Sequence, residues 1–136
     1  MPGRGFLDPA RDMISGSTPY HWRAAAIHAY YAIFLECRDA LSRWGFQMPR
    51  RDNVHAWVRL RFIYAADLDL KQIGRVLDEL VQLRNIASYH LSPVAEFATP
   101  TRAQDAIQKA ANALALLDHL DADPGSQATA RAAIRP

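Results

Sequence analysis

Three residues in the 136-residue sequence have the types and spacing for phosphate chemistry: Arg84, its neighbour Asn85, and His90. Laid on a helix at about 100° per residue, Ile73, Val76, Leu77, Leu80, Leu83, Ala87 and Leu91 form one apolar face. Arg84 falls inside that face, His90 at its edge, and Tyr89 on the opposite side. A charge in a core-facing position is costly unless it is paired or opens onto a cleft. Two arrangements satisfy that requirement. In one, Arg84 pairs with a carboxylate from another helix, such as Glu36 or Asp118, and His90 is a cation at a helix C-terminus. In the other, both line a groove and meet phosphate, with Arg84 binding the anion and His90 exchanging protons near neutral pH.

A second group is electrostatic. The chain has 14 Arg and only 2 Lys, and its formal net charge is +2. Arg38, Arg43, Arg50, Arg51, Arg59 and Arg61 share one stretch with only Asp39 and Asp52. Arg50, Arg51, Arg59 and Arg61 are the weaker candidates for contacting a phosphate-bearing substrate, with solvated helix flanks the equal alternative. The remaining features exclude several chemistries. Cys37 is the one cysteine and has Ile33 and Leu41 at helical spacing, so a buried thiol is expected and a disulfide is not possible within the chain. His21 and His28 share a helix face without a carboxylate set, which makes a poor metal site. His55 reads as a surface residue, Tyr30 and Tyr31 as core or interface aromatics, and Trp22, Trp44 and Trp57 as bundle edges. There is no Gly-rich phosphate loop, nucleophile elbow or zinc spacing. No metal and no cofactor are expected.

The elements that must position these residues are helical. Ser17-Thr18-Pro19 opens a long helix that Gly45 ends, and Asp52 or Asn53 caps a second. Asp67 or Asp69 caps a third, closed by Ser92-Pro93, and Thr99-Pro100-Thr101 opens a fourth that Asp123-Pro124-Gly125 ends. The expected helices span about 17–45, 52–67, 69–91 and 100–122. No period-2 run signals a strand. The expected fold is all-α, an antiparallel up-and-down four-helix bundle over residues 17–122. Residues 1–16 read as a flexible arm and 123–136 as a disordered tail. The first helix is apolar over more of its circumference than one core needs, which predicts a homodimer. With no signal-like run near the start and no membrane-length apolar stretch, a cytoplasmic protein without membrane contact is expected.

The segment Arg23-Ala-Ala-Ala-Ile-His-Ala-Tyr-Tyr-Ala-Ile-Phe34 resembles the first-helix signature of HEPN-domain proteins. The later run, with Gly74, Leu77 and Leu80 before Leu83-Arg84-Asn85-Ile86-Ala87-Ser88-Tyr89-His90, is similar to the family's third-helix segment. There an Arg, followed by a polar residue, precedes a His by four to six positions. The resemblance covers roughly residues 18–120. It implies a helical bundle that dimerises, with paired Arg/His motifs forming one site. It also implies a metal-independent endoribonuclease of toxin or phage-defence type, acting on single-stranded RNA beside a nucleotidyltransferase-type antitoxin. The alternative it carries is a non-catalytic module that binds a nucleotidyltransferase partner or a nucleotide. Arg84, Asn85 and His90 are the catalytic residues of the first reading. Arg84 supplies charge at the phosphate, His90 moves the proton, and Asn85 donates to the phosphate or the imidazole.

Overall fold

A computed structural model describes residues 2–50 and 53–136. Among the described residues six α-helices run α1 Leu7–Ile14, α2 Pro19–Arg43, α3 Val54–Ile63, α4 Leu68–Tyr89, α5 Thr101–Leu120 and α6 Pro124–Ala132. Two 3-10 turns, Gly3–Phe6 and Ala95–Phe97, precede α1 and α5, and no strand occurs among the described residues. The four long expected helices are present as α2 to α5; α2, α3 and α5 lie inside their expected bounds because their capping turns fall outside the helical hydrogen bonds, and α4 starts one residue and ends two residues earlier than expected.

Caps set these boundaries. Pro19 occupies the first turn of α2, and Thr18 is its N-cap in extended conformation. The Thr18 hydroxyl does not cap the backbone; it bonds His21 Nδ1 at 2.6 Å. Asn53 Oδ1 accepts the Ala56 N–H at the start of α3, and Asp67 Oδ2 accepts the Leu70 N–H at the start of α4. Asp52, the other cap expected for α3, lies outside the described residues. Gly45 follows α2 with φ +93°, a conformation that costs a residue with a Cβ and ends the helix cleanly.

α2 is the central element. Ala25, Ala26, Ala29, Tyr30, Ile33, Phe34, Cys37, Ala40 and Leu41 are all buried along it. α4 and α5 pack on it from two sides, and α3 lies mainly on α4. Burial pushes the Cys37 thiol well up. Gly74 lets α3 and α4 approach closely, since a Cβ there would stand 2.6 Å from Ile63 N and 2.8 Å from Ile63 Cα.

The expected flexible arm is instead folded. Residues 3–14 form the first turn and α1, and Leu7 and Ala10 are buried against α2. This is where the surplus apolar circumference of α2 goes: Phe6, Leu7, Ala10 and Ile14 cover it from within the same chain. The breaks that suggested a loose arm, Gly5 and Pro9, sit in a 3-10 turn and a helix first turn, where neither is costly.

Arg4 locks this segment down. Its Nε donates to Glu36 Oε1 at 2.8 Å, and its other two guanidinium nitrogens donate to Asp118 at 3.0 and 2.7 Å. Glu36 and Asp118 are therefore engaged by Arg4, not by Arg84 as the pairing alternative required. The Arg4 hydrogen bonds hold Asp118 below the usual carboxylate range. Burial pushes Glu36 up, but the Arg4 side-chain and backbone hydrogen bonds outweigh it and leave Glu36 lowered as well. A carboxyl lowered on folding stabilises the native state above its unfolded pKa, near 4, and loses that contribution as pH falls through the folded value. Arg4→Ala is expected to cost about 1–2 kcal/mol at pH 7, mostly through the stranded Glu36, because Asp118 is half exposed. Urea melts should show the deficit shrinking as pH falls below the ordinary carboxylate range and through the lowered folded-state values of the two carboxyls.

The expected disordered tail is also folded. α5 ends at Leu120 with Asp121 as its C-cap, and Asp123 instead caps α6, its Oδ1 accepting the Ser126 N–H at 2.7 Å. Ala130 and Ile134 are buried, Arg131 donates to the Trp44 carbonyl at 2.7 Å, and the Ala66 N–H meets the Ala133 carbonyl at 2.8 Å. An Asp-Pro-Gly run reads as a terminator, yet Asp then Pro is also an N-cap followed by a favoured first residue.

Candidate functional site: a cationic cleft between α3 and α4

Arg84 keeps its place on the apolar face of α4 and is held there by rings from α2. Its guanidinium carbon lies 5.3 Å from the Tyr30 ring centre and 5.8 Å from that of Tyr31. Among the described residues no carboxylate pairs with it, and its Nε is buried without a hydrogen-bond partner. The residue is partly exposed because it opens onto a cleft of about 360 Å³ between α3 and α4. Asn53, His55, Arg59, Asp78, Arg84 and Asn85 line it. Arg59 Nε stands 3.7 Å from Asp78 Oδ1, a loose pair. Two guanidiniums against that carboxylate leave the cleft cationic.

The floor is aromatic. Tyr30 and Phe34, one turn apart on α2, stack at 5.6 Å, and the His55 ring lies on Phe34 at 4.1 Å with only 12° between planes. His55 Nδ1 and the Tyr30 hydroxyl are 2.6 Å apart. Burial pushes the Tyr30 phenol up to about 12, against the pull of the Arg84 and Arg59 charges. Burial pushes His55 below the usual histidine range, and Arg84 and Arg59 push it the same way. The imidazole is therefore neutral at neutral pH.

Of the expected site residues, the structure brings Arg84, Asn85 and Arg59 to one cleft. His90 is not among the residues lining it. It is exposed, as the C-cap of α4, with its N–H on the Ile86 carbonyl at 3.0 Å. Six residues of helix separate it from Arg84 by about 9 Å of rise and about 120° of rotation. Arg61 stacks over Trp57 at 4.5 Å and donates to the Trp57 carbonyl, outside the cleft. Arg50 is exposed before α3, and Arg51 lies outside the described residues. His55 is a cleft residue, not the surface residue its position near a helix start suggests. Its spacing gave a signal: Asn53-x-His55-x3-Arg59 places His55 and Arg59 one turn apart on one helix face.

The first-helix Arg23 does structural work. Its guanidinium is buried and donates to the Ile86, Ala87 and Ser92 carbonyls at 3.1 to 3.2 Å, and it covers Phe97. Ile86 and Ala87 lie in the last turn of α4 and Ser92 just beyond it, so Arg23 ties the end of the helix carrying Arg84 to the segment that follows. Among the described residues no three His, Cys, Asp or Glu side chains could hold a metal ion together, and no helix is long and apolar enough to cross a membrane.

The chain is thus an all-helical bundle built on an Ala-Tyr-Tyr-Ala helix, with an Arg-Asn pair lining a cationic cleft. The HEPN domain family model matches residues 3–120, and the chain belongs to the HEPN family. The match begins at the turn before α1, in keeping with the folded N-terminal segment. Neither a curated protein nor a solved structure matches the chain.

Proposed function

We propose that this HEPN protein is a metal-independent endoribonuclease that cuts single-stranded RNA by transphosphorylation. The observation that carries the reading is Arg84: a guanidinium kept on a core-facing position, without a carboxylate partner among the described residues, beside Asn85 in a cationic cleft. A protein retains such an uncompensated charge when a ligand supplies the counter-charge. In the reaction the RNA 2′-hydroxyl loses its proton and its oxygen forms a bond to the adjacent phosphorus. The bond from phosphorus to the 5′-oxygen breaks, and that oxygen leaves with its electron pair and takes up a proton. Arg84 stabilises the charge on the phosphorane oxygens, Asn85 donates to one of them, and His90 exchanges the proton.

His90 stands outside the Arg84 cleft of its own protomer, so the reading includes a homodimer in which a second copy supplies it. Tyr89 and Leu91, on either side of His90, are 72% and 78% exposed, which gives such a contact apolar surface. The same position of His90 favours a second reading, a binding module in which the Arg84 cleft holds a nucleotide or a nucleotidyltransferase partner without cleavage. A toxin or phage-defence role with a nucleotidyltransferase-type antitoxin belongs to the first reading, and growth arrest on induction reports on it.

The two separate on one experiment. Protein treated with EDTA is expected to cut single-stranded RNA at an undiminished rate, leaving 2′,3′-cyclic phosphate ends or their 3′-phosphate hydrolysis products. Retention of RNA or nucleotide with no cut would favour the binding module, and cleavage that requires magnesium would reject the mechanism.

A further inference from the structure

The Tyr30 hydroxyl joins two cleft residues. His55 Nδ1 is 2.6 Å from it, and the Arg84 guanidinium acts on the same hydroxyl. The Arg84 charge over the Tyr30 ring makes the phenol the stronger donor of the pair, so its proton goes to Nδ1. That choice fixes the tautomer of the neutral ring: the hydrogen is on Nε2, the nitrogen left to meet a ligand in the cleft. The donors around the same space come from two helices. Arg59 and Arg84 contribute guanidiniums, and Asn85 contributes a side-chain amide. Asn53 spends its oxygen on the Ala56 N–H, which leaves its NH₂ group as a donor at the positive end of α3.

We infer that this cleft is a phosphodiester clamp complete within one protomer, in which His55 donates Nε2–H to a non-bridging oxygen held beside Arg59 and Arg84. The ligand is the backbone phosphate of single-stranded RNA, so the inference rests on the ribonuclease reading. His55 is then a positioning donor and His90 remains the residue that moves protons. The groups facing the imidazole are Tyr30 and Tyr31 from α2, Arg59 on its own helix, and Arg84 and Asp78 from α4. In the free protein burial and the guanidiniums disfavour its charged form. A bound phosphate reverses the balance, because it places negative charge against the ring.

The test uses the full chain and a ligand that cannot be cut. Imidazole nitrogens are followed by nuclear magnetic resonance during titration with a 2′-O-methylated oligoribonucleotide, with inorganic phosphate, and with adenosine monophosphate. His55 is expected to begin as the Nε2–H tautomer and to rise in pKa by about one unit on binding the oligonucleotide. Arg59→Ala and Arg84→Ala should each weaken that binding by about tenfold. His55→Phe should weaken it by about five- to tenfold, with His55→Gln partly restoring it through the amide donor. Arg75→Ala, the same charge change on an exposed position of α4, should alter it by less than about twofold. Tyr30→Phe keeps the aromatic floor and should lose the single tautomer.

A His55 resonance that does not respond, or His55→Phe binding as tightly as wild type, would overturn the clamp. Binding confined to adenosine monophosphate would overturn the backbone as its ligand. Cleavage and clamp fail separately. A responding His55 in a protein that cuts no RNA removes the ribonuclease reading alone, and cleavage with a silent His55 removes the clamp alone.

Discussion

Arg84→Ala is expected to lower RNA cleavage by at least about 10²- to 10³-fold, the size seen when a transition-state donor is lost from a preorganised site. Arg84→Lys should recover little. A point charge lacks the fork that addresses two phosphate oxygens, and its shorter polar reach does not span the rings of Tyr30 and Tyr31. Stability should move the other way from activity. The substitution removes two ring contacts, worth about 0.5–1 kcal/mol each at accessible sites. It also removes a part-buried cation whose Nε has no partner among the described residues, a cost of about 1–3 kcal/mol. The two nearly cancel, so the Ala variant should melt close to wild type or slightly above it. Because Arg84 and His90 act on one phosphate in this reading, Arg84→Ala with His90→Ala should be little worse than either alone. Initial rates beside thermal melts of the same preparations check both halves.

Gly74→Val is expected to be the most damaging single change away from the cleft. Any Cβ at this position meets the backbone of Ile63, which cannot step aside as a flexible side chain can. Alanine would regain about 1 kcal/mol of helix propensity, partly offsetting the clash, whereas a β-branched residue regains less and needs more room. Overpacking of a tight contact costs about 1–3 kcal/mol or more. For Val the loss should reach the top of that range, and the relief is a shift of α3 away from α4. Arg59 and His55 ride on α3 and Arg84 on α4, so that shift widens the cleft. Gly74→Val should therefore lose both thermal stability and RNA affinity, and melts with binding measurements read the two together.

The long helices were legible because their signals are periodic and local. The apolar stripes of α2, α4 and α5 and the caps at Asn53 and Asp67 each appear within a few residues. The two ends were not legible for the opposite reason. α1 has only Leu7 and Ala10 buried, and α6 only Ala130, so neither carries a long stripe. What holds them is remote in sequence: Glu36 and Asp118 for Arg4, the Trp44 carbonyl for Arg131. The apolar surplus on α2 pointed to a missing partner, and that partner is largely α1.

The cleft divides in the same way. Arg84 stood out because it breaks the pattern of its own helix. His55 and Arg59 break no pattern on α3, whose role depends on a crossing that Gly74 permits. Tyr30 looked like a core aromatic and is one, at 1% exposure, yet its hydroxyl organises the cleft from below. A polar function carried by the buried end of a core side chain leaves no trace in hydrophobic periodicity.

Cleavage at an Arg84-centred site by the RNA's own 2′-hydroxyl can be tested at a single substituted linkage. A single-stranded RNA carrying one 2′-deoxynucleotide at its main cut position, incubated with wild-type protein in EDTA, is predicted to resist cleavage at that linkage. The other linkages should still be cut and should end in 2′,3′-cyclic phosphate. Cleavage at the deoxy linkage would mean that water or an enzyme group attacks the phosphorus, and would rule out transphosphorylation.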